Sequence, residues 1–190
     1  MSDTEKIYFY PVWLRIWHGC NALGILTLIL TGISMQSNIE NSWLGFKLAV
    51  TLHNIAGTLV TLSYLFYFIG NLTTGNGSFY LIKIKGFLKR PLKQAYYYSW
   101  GMFHGMKPPF PLSEKRKFNP LQKYFYVLVM YMAVPIVIIT GIALLFPELI
   151  IDKVYTFSGV FVTAILHASM GFFISIFLVI HSIFRIIKKK

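Results

Sequence analysis

The chain has 190 residues, of which 56% are hydrophobic, 17% are aromatic and only 13% are charged. Soluble domains usually carry about 25% charged residues, so this composition argues against a soluble enzyme and indicates a protein embedded in lipid. The sparse charge also excludes a disordered chain, and a single cysteine, Cys20, excludes an internal disulfide scaffold. The net charge of +12 has to be interpreted from its position along the chain.

Four long segments without any charged residue predict four membrane-spanning helices. Each segment is longer than the ~20 residues that a helix needs to cross the hydrocarbon core of a bilayer. The fold class expected from this pattern is all-α, a transmembrane four-helix bundle. We place the spans near residues 12–34, 48–70, 122–146 and 156–186.

Basic residues are distributed unevenly between these spans. With four helices both termini share one side of the membrane, and that side receives all the lysines and arginines except Lys47 and Lys153. The positive-inside rule therefore predicts that both termini and the long middle loop are cytoplasmic. Topology and anionic lipid account for the positive charge, so we expect no nucleic-acid partner. The N-terminus lacks the features of a cleaved signal peptide.

We expect a single domain over residues 1–190, because the loop at 71–121 is the one substantial segment outside the predicted spans. This loop mixes aromatics, glycines and prolines, which is typical of short helices and turns at a membrane interface. No internal repeat stands out along the chain. The outer loops are short, so large extracytoplasmic chemistry would have to come from another chain.

Four histidines lie within the predicted spans. A histidine inside a membrane is costly and normally faces a partner or a cofactor. None of the spans contains an acidic residue with which a histidine could form a proton relay, so four together favour ligation over packing. A transporter or metal channel that uses the histidines transiently is an alternative, and so is a purely structural anchor. The four residues are His18, His53, His167 and His181.

The spacing in the fourth span predicts two separate sites. His167 and His181 are 14 residues apart, which places them on one helix face at an axial distance of ~21 Å. One metal ion cannot bridge that distance, so each histidine needs a second ligand at its own depth. By depth, His181 matches His18 near the cytoplasmic side and His167 matches His53 near the outer side.

A paired-histidine site without carboxylates suits a six-coordinate haem better than zinc or copper. Gly57 and Gly171 each follow an outer-site histidine by four residues, which would leave room for a macrocycle; close helix packing is the other explanation for them. Arg15 and Arg185 lie near the inner pair, where each would either bind haem propionates or extend to the interface.

Filled axial positions leave no open site for substrate, which predicts electron transfer. The chain has no CxxCH motif, so the expected cofactors are two b-type haems that are bound non-covalently. Quinone is the carrier that membranes contain, and we expect it to load or unload one end of the pathway.

The sequence resembles the four-helix di-haem cytochrome b subunits of bacterial respiratory oxidoreductases. That group includes the cytochrome b561-type formate dehydrogenase gamma subunit and the cytochrome b subunits of nickel-iron hydrogenase and thiosulfate reductase. The resemblance covers nearly the whole chain, including RIWH at 15–18, LHNIAG at 52–57, KFNPLQK at 117–123 and the two histidines of the fourth span.

The resemblance implies the same histidine pairs and a menaquinone site beside the inner haem; ubiquinone is the other quinone considered. Asn119 and Gln122 match polar positions of the quinone-site motif, and Leu121 stands where the family has a glycine. His104 in the middle loop could exchange protons with quinone, although a loop histidine is more often solvated or packed.

The function implied is that of a membrane-anchoring subunit in a bacterial cytoplasmic (inner) membrane, rather than a stand-alone enzyme. It would transfer electrons between an extracytoplasmic redox partner and the quinone pool near the cytoplasmic face. An iron-sulfur protein, a hydrogenase, a molybdenum enzyme or a multihaem cytochrome would each serve as that partner, and electrons could flow in either direction.

Overall fold

The structure is a computed structural model that describes residues 10–37, 44–111 and 116–187, with side chains up to residue 183. Four long helical stretches account for most of these residues. They are α1 (Val12–Gln36), α2 (Phe46–Thr73), a third stretch from Pro120 to Leu145 and a last helix, α6 (Gly159–Ile187). Their ends agree with the predicted spans to within three residues.

Length and composition explain why these stretches form helices that can cross a membrane. All four are long and apolar enough to span a bilayer. Large apolar side chains lie exposed on every one of them, as on a surface that faces lipid; examples are Leu23, Leu62, Ile139 and Phe172. The predicted all-α transmembrane fold with four spanning helices is confirmed. The cytoplasmic position of both termini stays a prediction.

The middle loop contains short helices and turns, as expected. A 3₁₀ turn at Asn76–Tyr80 precedes helix α3 (Lys89–Ser99), and a second 3₁₀ turn follows at Gly101–His104. Gly75, Gly86 and Gly105 adopt positive φ in this loop. Glycine has no Cβ to clash in that conformation, so these residues allow the sharp changes of direction.

The third span is interrupted by a wider turn. It consists of α4 (Pro120–Leu128), a π-helical turn (Val129–Ala133) and α5 (Val134–Leu145). In the π turn the amide of Val134 donates to the carbonyl of Val129, and Pro135 has no amide hydrogen to donate to Met130. The Tyr64 hydroxyl donates to that Met130 carbonyl at 2.9 Å, which satisfies it.

Pro147–Leu149 forms a 3₁₀ turn after α5, and a small hairpin then leads into α6. Strand β1 (Lys153–Val154) pairs antiparallel with β2 (Phe157–Ser158), in the register Lys153↔Ser158 and Val154↔Phe157. Tyr155, in the two-residue loop, has a φ of 55°.

The described residues form two compact units. The first, which we call the loop unit, contains the described parts of Met1–His18 and Phe66–Val127. The second, which we call the span unit, contains the described parts of Gly19–Leu65 and Leu128–Lys190. In the loop unit Trp17 stacks on the buried Tyr67, with ring centroids 4.3 Å apart. In the span unit the buried side chains are mostly small, including Ala49, Ala56 and Ala133. Small side chains let membrane helices approach closely. The single domain expected from the sequence stays a prediction.

Candidate haem-binding site

Two of the four intramembrane histidines face each other in the span unit. His53 lies on α2 and His167 on α6, and their ring centroids are 6.2 Å apart with an interplanar angle of 65°. Both side chains are partly buried. The depth argument predicted this pair, and the structure brings the two rings together.

The distance between the rings fits a single metal ion held from both sides. Two imidazoles that bind one ion, each through a nitrogen about 2 Å from the ion and about 1.2 Å from its ring centre, have centres about 6.3 Å apart. Each ring plane contains the ligand–metal axis, so rotation about that axis changes the interplanar angle and leaves the distance unchanged. The observed 6.2 Å and 65° are therefore compatible with paired axial ligands.

The ligand set fits haem better than a structural zinc ion. Within the three described ranges, no group of three or more His, Cys, Asp or Glu side chains is arranged to hold a metal. A structural zinc site needs four such ligands, whereas a haem supplies four ring nitrogens and asks the protein for the axial positions alone.

Each of the paired rings is held by a threonine from a neighbouring helix. Thr31 on α1 has its Oγ1 2.9 Å from Nδ1 of His53, and Thr140 on α5 has its Oγ1 2.9 Å from Nδ1 of His167. Both threonines are almost fully buried. The Nε2 atoms have no such partner among the described residues, so they are the nitrogens that a metal could use.

Glycines leave space around the two rings. A Cβ on Gly171 would meet nothing within 4 Å, and one on Gly57 would touch only Leu28, at 3.9 Å. This open surface is compatible with the room for a macrocycle that the sequence predicted. The residue after each threonine is also a glycine, and Gly141 and Gly32 lie directly against the rings of His167 and His53.

Sequence analysis missed this threonine–glycine pair, although a signal for it was present. Residues 29–34 read ILTGIS and residues 138–143 read IITGIA, while LHNIAG at 52–57 matches LHASMG at 166–171. The chain thus contains a short repeated pattern, one T-G helix and one L-H-x3-G helix in each half. The repeat escaped notice because the residues between the two patterns differ in number.

The second histidine pair is divided between the two units. His18 lies exposed near the start of α1 in the loop unit, and His181 lies in the span unit with its ring stacked on Phe177, 5.8 Å between centroids. His181 and His167 share the single helix α6, as predicted. The pairing of His18 with His181 stays a prediction. Arg15 is exposed on α1, and the side chain of Arg185 lies outside the described residues.

Asn119 and Gln122, the predicted quinone residues, form a helix cap. The amide of Gln122 donates to Oδ1 of Asn119 at 2.9 Å, and Oε1 of Gln122 accepts from the amide of Asn119 at 3.4 Å. This reciprocal arrangement, with Pro120 at the first helical position, is a capping box at the start of α4. It accounts for the spacing of the motif without a ligand, so the quinone role of these residues stays a prediction.

Helix α3 adds polar groups beside this cap that the sequence analysis did not single out. The Nδ2 group of the buried Asn119 donates to the hydroxyl of Tyr98 at 2.8 Å. Gln94, one helical turn before Tyr98, is only 2% exposed, and its Oε1 has no hydrogen-bond partner within the part of the chain that the structure describes. Buried acceptors are normally satisfied, so this oxygen is a place where an ordered water or another hydrogen-bond donor could bind.

Two further basic residues of the loop unit are held by neutral groups. His104 is exposed, stacks on Trp100 at 4.1 Å and donates from Nδ1 to the Trp100 carbonyl at 2.9 Å. Lys117 donates to Oδ1 of Asn76 at 3.0 Å and lies 4.0 Å above the ring of Phe79. Burial among these groups lowers the pKa of the Lys117 amine below its usual value. Proton exchange between His104 and quinone stays a prediction.

Comparison with known proteins identifies the family. The family model described as prokaryotic cytochrome b561 matches residues 9–189, which is nearly the whole chain. The chain belongs to the prokaryotic cytochrome b561 family. It is therefore a multi-pass protein of the bacterial inner membrane that binds b-type haem.

A relative among the curated proteins agrees with this assignment to the cytochrome b561 family. The Escherichia coli (strain K12) protein named "Putative cytochrome YdhU" is 35% identical over 148 residues, which cover 78% of this chain and 56% of that protein. The chain thus spans little more than half the length of this relative. No solved structure matches the chain.

Proposed function

We propose that this cytochrome b561 protein is the membrane-anchoring di-haem subunit of a respiratory oxidoreductase. It transfers electrons across the membrane between an extracytoplasmic redox partner and the menaquinone or ubiquinone pool near the cytoplasmic face. The observation that carries the proposal is the pair of histidine rings at 6.2 Å, each with Nδ1 held by a threonine, in a chain of a haem-binding family.

In this proposal each haem would be held by two histidines of this chain and would supply a one-electron carrier. His53 and His167 bind the outer haem, and His18 and His181 bind the inner one. Gly57 and Gly171 leave room beside the outer ligands, which the open space at Gly171 supports. Arg15 and Arg185 neutralise propionates on the cytoplasmic side.

The quinone site belongs to the loop unit in this proposal. Gln94 is the best-supported residue there, because its buried Oε1 can accept a hydrogen bond from a quinol hydroxyl. Gln122 and Asn119 then shape the site by starting α4 beside it, and His104 can exchange protons with water at the surface.

The redox partner is an extracytoplasmic subunit such as an iron-sulfur protein, a hydrogenase, a molybdenum enzyme or a multihaem cytochrome. The chain carries only short segments between its first and second spans and between its third and fourth spans. Substrate chemistry on that side of the membrane therefore requires another protein. Membership of a cytochrome family and spans without acidic residues favour electron transfer over the alternative of a metal transporter.

Haem counting tests the ligand assignment. We expect two b-type haems per purified chain, with low-spin spectra after dithionite reduction. His53→Ala or His167→Ala should each remove one haem, and His18→Ala or His181→Ala the other. His104→Ala is the matched control and should keep both haems. A chain that keeps two low-spin haems after His53→Ala would contradict the proposal.

Quinol oxidation tests the role of Gln94 separately. Gln94→Leu should slow haem reduction by a soluble quinol about tenfold, since one hydrogen bond to the substrate is lost. Gln36→Leu, at the exposed end of α1, is the control and should react like the unmodified chain. An unchanged rate in Gln94→Leu, with both haems present, would remove Gln94 from the site.

A further inference from the structure

We infer that Thr31 and Thr140 are positioning residues that set the tautomer and orientation of His53 and His167, and that they thereby keep the potential of the outer haem low. This inference rests on the proposed function, because it takes the two histidines as axial ligands. It concerns different residues, so it can fail while the ligand assignment holds.

The single hydroxyl proton of Thr31 determines the direction of its hydrogen bond to His53. The hydroxyl has one proton, and its oxygen lies 2.7 Å from the carbonyl oxygen of Thr27 and 3.2 Å from that of Leu28. Two oxygens 2.7 Å apart need a proton between them, and a carbonyl has none to give. The Thr31 hydroxyl therefore donates its proton to the Thr27 carbonyl. The contact with His53 at 2.9 Å must then be donated by Nδ1–H of the ring.

The same arrangement recurs at Thr140. Its Oγ1 lies 2.7 Å from the carbonyl of Ile136 and 3.2 Å from that of Val137, and 2.9 Å from Nδ1 of His167. Thr31 is 2% exposed and Thr140 is 6% exposed, so water does not compete for either hydroxyl. The helix pairs α1–α2 and α5–α6 thus hold their histidines through the same threonine contact at Nδ1.

The consequence is a defined tautomer. A neutral imidazole carries one proton, and with that proton on Nδ1 the lone pair lies on Nε2, where it is available to a metal. A hydrogen bond from the remaining ring N–H of a ligand also raises the basicity of the coordinating nitrogen. A more basic axial ligand stabilises ferric over ferrous haem, which lowers the midpoint potential.

The glycines that follow the two threonines let each histidine ring approach the neighbouring helix closely. A Cβ on Gly141 would lie 3.1 Å from Cε1 of His167, and one on Gly32 would lie 3.7 Å from Cε1 of His53. Each ring therefore lies against the backbone of the helix whose threonine it contacts. In this geometry the threonine fixes one ring nitrogen and the glycine admits the ring edge.

Redox titration of the purified haem-loaded protein tests the inference. Thr31→Val and Thr140→Val replace the hydroxyl by a methyl group of similar size and so remove the threonine oxygen that accepts from Nδ1–H. We expect each to raise the midpoint potential of one haem, leaving the other unchanged, and to alter the ferric electron paramagnetic resonance signal of that haem alone. Thr31→Ser and Thr140→Ser keep a hydroxyl and should restore the original potential.

Thr61→Val is the matched control, since Thr61 also bonds back to its own helix, through the Gly57 carbonyl at 2.8 Å. It should leave both potentials unchanged. Loss of one haem in a valine variant, with normal haem in the serine variant, would also support the inference. Unchanged potentials in both valine variants, or equal loss in the serine variants, would overturn it. If His53→Ala kept both haems, the ligand assignment itself would fail instead.

Discussion

The His53–His167 pair and the Asn119 cap are both built from polar side chains, yet they use their hydrogen-bonding atoms differently. At the cap, the side-chain oxygens of Asn119 and Gln122 are each engaged with the other residue's amide, and the Asn119 Nδ2 bonds Tyr98. At the histidine pair, Nδ1 of each ring is engaged by a threonine, whereas Nε2 has no hydrogen-bond partner within the described ranges. A site for a ligand is recognised by the atoms that the fold leaves uncommitted.

The same contrast applies to Gln94, whose buried oxygen lacks a partner among the described residues. Gln94 lies outside the KFNPLQK motif at 117–123, one helical turn before Tyr98, which contacts Asn119 of that motif. The sequence motif thus predicted the region of the proposed quinone site, whereas the buried Oε1 without a partner is the reason to propose Gln94.

The largest effect is expected from double replacements of histidine. His53→Ala with His167→Ala should lose one haem, no more than either single change, because both residues serve one iron. His18→Ala with His53→Ala should lose both haems, because these residues serve different irons. Haem content per chain, measured after extraction, distinguishes the two doubles. Complete haem loss in the first, with one haem kept in the second, would break the pairing.

A methyl group beside His167 should have the next largest effect. Gly141→Ala places a Cβ 3.1 Å from the ring, which is tighter than an ordinary van der Waals contact. Because Thr140 holds the ring through Nδ1, we expect the required shift of a few tenths of an ångström to cost about 1 kcal/mol. Gly32→Ala is the natural comparison, because its 3.7 Å contact is ordinary. We expect weaker haem retention on heating for Gly141→Ala than for Gly32→Ala. Equal retention would show that the ring does not depend on this close approach.

Removal of the helix cap should have a smaller effect, confined to stability. Asn119→Ala loses the bonds to the Gln122 amide and to Tyr98, and a lost cap costs about 1 kcal/mol. Asn119→Asp keeps the acceptor and should recover most of this. Unfolding in detergent, followed by circular dichroism, measures the difference. Full stability in Asn119→Ala, together with slow quinol oxidation, would instead favour a direct quinone role.

The smallest effect is expected at the π turn in the third span. Tyr64→Phe removes the hydroxyl that donates to the Met130 carbonyl, and such bonds in membrane proteins contribute about 0.6 kcal/mol on average. Tyr155→Phe, at a side chain that is 97% exposed, is the comparison and should leave the free energy of unfolding unchanged. The free energy of unfolding in mixed micelles should fall for Tyr64→Phe, with both haems retained. An increase in stability would show that the carbonyl is satisfied in another way.

Much of the fold followed from the sequence. Charge-free runs longer than a bilayer predicted four spanning helices with ends correct to within three residues, because lipid leaves an apolar chain no alternative to helical hydrogen bonding. The 14-residue spacing on α6 placed His167 and His181 at different depths in the membrane. The direction in which each helix crosses the membrane then placed His53 at the depth of His167. These deductions need only helix geometry and the direction of each span.

The sequence by itself thus determined the spanning helices, their apolar surfaces and which histidine meets His167. Only the tertiary structure decided which atoms remain available. It brought Thr31 and Thr140 to the histidine rings and engaged Asn119 in a cap. Among the described residues, it left the buried Oε1 of Gln94 without a hydrogen-bond donor. The physical reason is that burial depends on composition along one helix, whereas a hydrogen bond depends on distances of about 3 Å between side chains of different helices.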